Sequence, residues 1–320
     1  MTSPRVLRTT QPGHIDDIER ASIALHRYER AAGARSTARI AVDGGEVHLD
    51  VYAAPDDAPS RGTIVFVGGL SAYALVYADF QHRLSERGWN VVALDLRGHG
   101  RSSGRRGDFT TETVLADLRG AALYARERFG GPLILMGSSL GGYYSLVGAN
   151  ALEEFDLAIS HWIFLPDYPV TRKDARVRPV ALALNKVAPR FRLSTRLVAE
   201  WDHVNETAEL RQRCFDDPLM VWKYSMRALA GGLSYAPARP LTSLRCPHLV
   251  LIGERDQMTP LAYTQKVYDM FEGDKELVVI PEAGHMGGLV EHQAEMLDAV
   301  DGWLTRRVAQ LHPAEAAAAQ

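Results

Sequence analysis

The stretch LILMGSSLGGYYSL, Leu133 to Leu146, runs from an apolar segment through clustered glycines and serines into a second apolar segment. Gly137 and Gly141 stand two residues before and after Ser139. A strand that reverses into a helix this quickly needs small neighbours, and it strains the backbone of the residue at its apex. In that frame Ser139 is the apex and Ser138 fills the preceding variable position. A frame centred on Ser138 has Met136 where the first glycine is needed, so Ser139 is preferred. Glycine–serine turns are common, however, and the meaning of this one depends on its surroundings.

Those surroundings alternate. Short apolar runs recur at TIVFV (63–67), NVVALDL (90–96), PLILMG (132–137), PHLVLIG (247–253) and ELVVI (276–280), and FDLAISHWIFL (155–165) reads as another. They are continuous rather than alternating, as strands covered on both faces are. Between them lie segments of helical spacing: YALVYADFQHRLSERG, TTETVLADLRGAALYARERFGG and LVEHQAEMLDAVDGWLTRRV, the last with Met296, Leu297, Val300 and Leu304 on one stripe. Strand alternating with helix predicts a doubly wound, mostly parallel α/β sheet. Residues 38–55 read as a hairpin turning at Asp43-Gly44-Gly45, and residues 14–32 as a separate amphipathic helix.

The rhythm breaks after Pro166 and resumes near Pro240. The expected organisation is an N-terminal extension with a helix (1–35), a core (36–165 and 241–310), a helical insertion lying over the sheet as a cap (166–240), and a flexible tail (311–320). Net charge is -3 with both signs scattered, which argues against a nucleic-acid partner. Cys214 and Cys246 form no motif and read as free thiols of a reducing compartment. The N-terminus lacks the apolar core of a signal peptide, and no apolar stretch approaches the roughly 20 residues that span a bilayer. A cytoplasmic protein is expected. The cap's basic residues, Arg172, Lys173, Arg176, Arg178, Lys186, Arg190 and Arg192, read as a solvated face, with contact to a membrane surface as the alternative. Oligomeric state is not legible.

A serine at such an apex becomes a nucleophile only with a base and an acid, and on a sheet of this type these follow it in the order acid, then histidine. Asp256 lies just past the strand ending in LVLIG, and His285 lies just past LVVI. Both are strand ends on the same edge of the sheet as Ser139, where open α/β sheets bind ligands. His285 would take the serine proton, and Asp256 would hold its tautomer and stabilise the imidazolium. Asp167 after the preceding strand, and Glu254, are rival acids. His82, His161 and His292 read as packing, capping or surface residues. The oxyanion requires two backbone amides: Leu140, next after the serine, and Leu70, in FVGGLSAY after the first buried strand.

These residues resemble the α/β-hydrolase superfamily. Asp95, Arg97-Gly98-His99-Gly100, Ser102 and Gly104 sharpen the resemblance to its monoacylglycerol lipase and lysophospholipase branch, as does the DPL segment in CFDDPLMVWKYSMRAL. The resemblance implies that the RGHG run is structural and His99 not catalytic. It also implies that no metal or organic cofactor is needed, and that the reaction is hydrolysis of a carboxylic ester of a small molecule through an acyl-enzyme. Thioester, amide and carbon–carbon bond hydrolysis use the same triad, and a non-catalytic ligand-binding protein is the reading from another class. Relatives that use aspartate at the elbow are excluded by Ser139. The chain departs from these lipases at Ser138, where they usually carry histidine, at Leu140, usually methionine, and at Gly68, commonly histidine. Among apolar cap residues, Phe191, Leu219 and Trp222 are candidates for lining an acyl pocket.

Overall fold

The computed structural model describes residues 3–57, 60–205 and 207–311; the expected flexible tail, 311–320, lies outside them except for Leu311. Among the described residues, eleven strands occur in chain order: β1 (Val6–Thr10), β2 (Ser36–Val42), β3 (Gly45–Tyr52), β4 (Thr63–Val67), β5 (Asn90–Leu94), β6 (Leu133–Ser138), β7 (Leu157–His161), β8 (Arg192–Ser194), β9 (Lys223–Ser225), β10 (His248–Gly253) and β11 (Lys275–Ile280). Nine form one sheet in the order β1-β2-β3-β5-β4-β6-β7-β10-β11. From β5 to β11 every pairing is parallel. The continuous apolar runs are buried along β4, β5, β6 and β10, because helices cover both faces.

The chain leaves β4 toward β5 on one side and leaves β6 toward β7 on the other. A crevice opens where adjacent strands send their connections in opposite directions. Here it lies between the carboxyl ends of β4 and β6, which carry Gly68–Leu70 and Ser139.

The hairpin forms as expected, with Val42 paired to Gly45 across Asp43 and Gly44, both at positive φ (41° and 75°). This is the two-residue turn whose twist matches paired strands. Two N-terminal expectations need correction. The helix over 14–32 is two helices, Asp17–His26 and Glu29–Ala34, broken at Arg27, whose φ is 60°. Strand β1 was not anticipated, because its sequence VLRTT is largely exposed and carries no burial periodicity.

Between β7 and β10 the chain forms the helices Arg172–Val187, Thr195–Val198, Trp201–Val204, Ala208–Asp216 and Met226–Ser234, and β8 pairs with β9 as a separate antiparallel ribbon. The ribbon departs from the mostly helical expectation. This segment rests on the loop after β5. Asp108 accepts from Ser225 Oγ (2.6 Å) and from Arg227 Nε and Nη2 (2.5 and 2.6 Å), and Ser225 N–H donates to Gly107 O (2.9 Å). The loop that follows the RGHG run therefore has a structural task of its own, seating the inserted segment.

The N-terminal helix grips the same segment from the other side. Asp217 Oδ1 accepts from Ser22 Oγ and from the Leu219 amide, both at 2.8 Å. Its Oδ2 accepts from Tyr73 Oη and lies 2.9 Å from His26 Nε2. Burial alone would raise this carboxyl's pKa, but the hydrogen bonds from His26, the Leu219 amide and Ser22 hold it below its ordinary value. A depressed folded pKa stabilises above the unfolded value of about 3.9 and is lost as pH falls through the folded one. Asp217→Asn should therefore cost about 1–3 kcal/mol at pH 7. In urea titrations the gap between the two proteins should close below about pH 4. A gap that persists unchanged at pH 3 would contradict this account.

Candidate active site

Strand β6 delivers Ser139 at φ 55° and ψ -122°, directly before the helix Leu140–Ala151. A left-handed non-glycine residue costs about 1–3 kcal/mol and persists only where its surroundings enforce it. Here the Ser139 amide donates to His161 O (2.9 Å), and the Ser139 carbonyl accepts from the Gly142 amide (2.7 Å). The flanking glycines are sterically required. A Cβ on Gly137 would fall 1.9 Å from Gly141 O, and one on Gly141 would fall 2.1 Å from Val67 O on β4. The motif thus packs strand, turn and helix too closely for any side chain.

Ser139 Oγ lies 2.9 Å from His285 Nε2, and His285 Nδ1 lies 2.8 Å from Asp256 Oδ2. Asp256 Oδ1 accepts from the Met258 and Thr259 amides (2.8 and 2.9 Å), which fixes the carboxylate's orientation. His285 and Asp256 are buried and Ser139 is partly accessible, so the serine faces outward with its partners behind it. The rival acids are elsewhere. Asp167 is exposed and pairs with Arg178 at 2.5 Å, and Glu254 accepts from the Glu282 amide.

The loop after β4 closes against the serine: a Cβ on Gly69 would lie 3.0 Å from Ser139 Cβ. The Gly69 amide donates to Tyr77 Oη (2.8 Å), and the Ser71 amide donates to Tyr224 Oη (2.7 Å). Leu70 carries the amide between these two occupied ones. Leu140 is the first residue of its helix, so its amide has no intrahelical acceptor. The Leu140 amide follows Ser139 directly, and the Leu70 amide follows the glycine that packs against it.

Three further residues lie beside the site, of which Ser138 and His161 were noted in the sequence and Trp162 was not. Ser138 is fully buried, and its hydroxyl lies 3.0 Å from His161 Nδ1. Ser138 therefore lies behind the turn and not in a substrate pocket. The His161 ring stacks on His285 with centroids 6.2 Å apart; burial, reinforced by His285, pushes its pKa down to about 3. Trp162, at φ 78°, meets His285 edge-on at 6.0 Å. His161 packs, as expected, but against the site. His82, in the helix Ala78–Glu86, lies near Glu86, and His292, in the turn before the helix Gln293–Leu311, lies near Glu295.

The three side chains read as candidates for lining an acyl pocket stand in different surroundings. Leu219 is buried in the core and Phe191 is half exposed. Trp222 sits among Trp201 and Phe215, both at 5.0 Å, with Arg196 over its ring. Their apolar character was legible, but their direction depends on how the inserted segment folds.

Among the described residues, no helix is long and apolar enough to cross a membrane. The family model described as Serine aminopeptidase, S33 matches residues 58–289. The chain is 27% identical over 274 residues to a monoacylglycerol lipase of Mycolicibacterium smegmatis, covering 82% of this chain and 94% of the lipase. Among solved structures, a soluble variant of the monoglyceride lipase of Saccharomyces cerevisiae has a TM-score of 0.71 at 20% identity, covering 84% of this chain and 94% of that one. A thermostable carboxyl esterase from Bacillus coagulans has a TM-score of 0.73 at 15% identity, covering 86% and 99%. These two likenesses establish the shared fold, while the family match spans most of the chain. The chain is an α/β-hydrolase belonging to the Serine aminopeptidase, S33 family.

Proposed function

We propose that this protein hydrolyses carboxylic esters with an apolar, lipid-like acyl group, using Ser139 as nucleophile, His285 as general base and then acid, and Asp256 to orient the imidazole. The reaction class is carboxylic ester hydrolysis. The observation that carries the reading is the continuous hydrogen-bonded line from Asp256 through His285 to a serine held in a strained turn. Ser139 Oγ attacks the carbonyl carbon while its proton passes to His285 Nε2. The oxyanion is held by the Leu70 and Leu140 amides. Collapse expels the alcohol, which takes the proton from His285, and water then releases the acid by the same sequence of steps. This machinery uses no metal or organic cofactor.

Segment 166–240 serves as a cap over the crevice in this reading. It carries Tyr168, Val177, Val180, Val187, Phe191 and Leu197, all exposed. So large an apolar share on one segment suits a surface that meets lipid-like substrates. The monoacylglycerol lipase relative supports the same substrate class. We place the protein in the cytoplasm, where Cys214 and Cys246, both free, persist as thiols.

The test is a panel of p-nitrophenyl esters from acetate to decanoate, alongside a fluorophosphonate probe. Turnover with a preference for medium chains, and labelling at Ser139, are expected. Folded protein that neither turns over any ester nor labels would refute the reading. Amide hydrolysis is the second reading, favoured by the aminopeptidase description of the family. An aminoacyl p-nitroanilide hydrolysed faster than the matching ester would select it.

A further inference from the structure

Leu70 is followed by Ser71, a non-glycine residue at φ 71°. Both backbone polar groups of Ser71 are held by the inserted segment. Its amide donates to Tyr224 Oη (2.7 Å), and its carbonyl accepts from the Val221 amide (3.0 Å). An amide can only donate, so the Tyr224 oxygen is an acceptor there, and its own proton is available to His99 Nε2, 2.7 Å away. The three groups form a buried line: Ser71 N–H to Tyr224 O–H to His99 Nε2. Tyr224 and His99 are almost wholly buried, and the Tyr224 ring lies edge-on to Phe109 at 89°.

We propose that Tyr224, backed by His99, is a positioning residue for the oxyanion hole: it fixes the Leu70–Ser71 peptide from the inserted segment, so that seating of that segment sets the direction of the Leu70 amide. The inference rests on the ester-hydrolase reading for its kinetic consequence. Three features support it. Ser71 stands in a conformation that its own side chain disfavours, so something outside the loop maintains it. The loop's other side is pinned independently by Tyr77 Oη on the Gly69 amide, so the Leu70 amide is held between two fixed points. Tyr224 itself cannot drift, because its neighbour Ser225 is bonded to Gly107 and Asp108 of the loop after β5. That loop also carries His99, so the RGHG run reaches the oxyanion hole through one tyrosine. Burial pushes the His99 pKa down to about 4, so the ring is neutral at working pH and able to accept.

Preorganised donors aimed at the oxyanion act on the transition state more than on bound substrate. Tyr224→Phe keeps the ring and removes only the hydroxyl. It should lower kcat on p-nitrophenyl butyrate by about 10- to 100-fold with KM within about twofold. The inhibition constant of a trifluoromethyl ketone, a mimic of the tetrahedral oxyanion, should rise by the same factor as kcat/KM falls. His99→Leu, which removes the acceptor but not the hydroxyl, should lower kcat by a smaller factor with the same KM pattern, and this second variant serves if the first does not fold. Unchanged kcat and ketone affinity in both variants, with an active wild type, would overturn the proposal, and so would a rise in KM with kcat unchanged. If the wild type hydrolyses no ester, the ester-hydrolase reading fails separately. Amide hydrogen exchange then decides the clamp: faster exchange at Ser71 in Tyr224→Phe supports it, and equal exchange overturns it.

Discussion

Ser139→Ala should lower kcat on any ester substrate by about 10⁴- to 10⁶-fold while leaving the protein folded. The size follows from what the substitution removes. The hydroxyl 2.9 Å from His285 Nε2 is the atom that would bond the acyl carbon, and no other hydroxyl takes its place. The neighbouring candidate, Ser138, is fully buried and bonded to His161, so it cannot substitute. What survives is the contribution of the oxyanion amides and of substrate binding, which is why the loss has a floor. Stability should hardly change, because Ser139 is partly accessible to solvent. The measurement is kcat against p-nitrophenyl butyrate with the thermal midpoint as control. Activity within tenfold of wild type would remove Ser139 from the mechanism.

The largest stability effect is expected at Arg35. Its guanidinium is fully buried and lies 2.9 Å from both Glu19 of the first N-terminal helix and Asp50 of β3. Burial would raise the Asp50 carboxyl, but Arg35 and His48 together more than offset it, and the pKa falls below its ordinary value. Removing one partner of a buried ion pair leaves a charge without compensation, which costs about 3–5 kcal/mol. Arg35→Met should therefore lower the unfolding free energy by that amount at pH 7. Asp50 retains His48, 3.0 Å away, and Glu19 retains Arg101, 2.9 Å away. The double variant Arg35→Met/Asp50→Asn should recover part of the loss, because it no longer buries an unpaired carboxylate. Urea unfolding of the two variants tests this, and a single-variant cost below 1 kcal/mol would show that the cluster does not hold the N-terminal segment to the sheet.

Legibility tracked local constraint. The elbow could be read because Gly137 and Gly141 are required by contacts within a few ångströms, so the residue types themselves record the geometry. The parallel strands could be read because burial on both faces forces continuous apolar runs. Asp256 and His285 could be placed because each follows such a run directly. Strand β1 escaped because an edge strand with both faces wet needs no pattern. The break at Arg27 escaped because the flanking helical spacing continues almost unaltered across it. Leu219, Phe191 and Trp222 were recognised as apolar, yet apolar character does not say whether a side chain packs inward, clusters with other rings or stands in solvent.

The sequence by itself determined the order of the buried parallel strands and the helices between them, the identity of the apex serine, and strand-end candidates for the acid and the base. Each is set by neighbours within a few residues, so each leaves a local trace. Only the tertiary structure decided that Asp256, and not Asp167 or Glu254, meets His285. It alone shows Tyr77 and Tyr224 bracketing the Leu70 amide, and Asp217 joining the N-terminal helix to the inserted segment. These contacts join residues far apart in the chain. A hydroxyl or a carboxylate looks the same in sequence whether it faces water or a backbone amide 150 residues away, because the folded chain, not the residue type, chooses its partner.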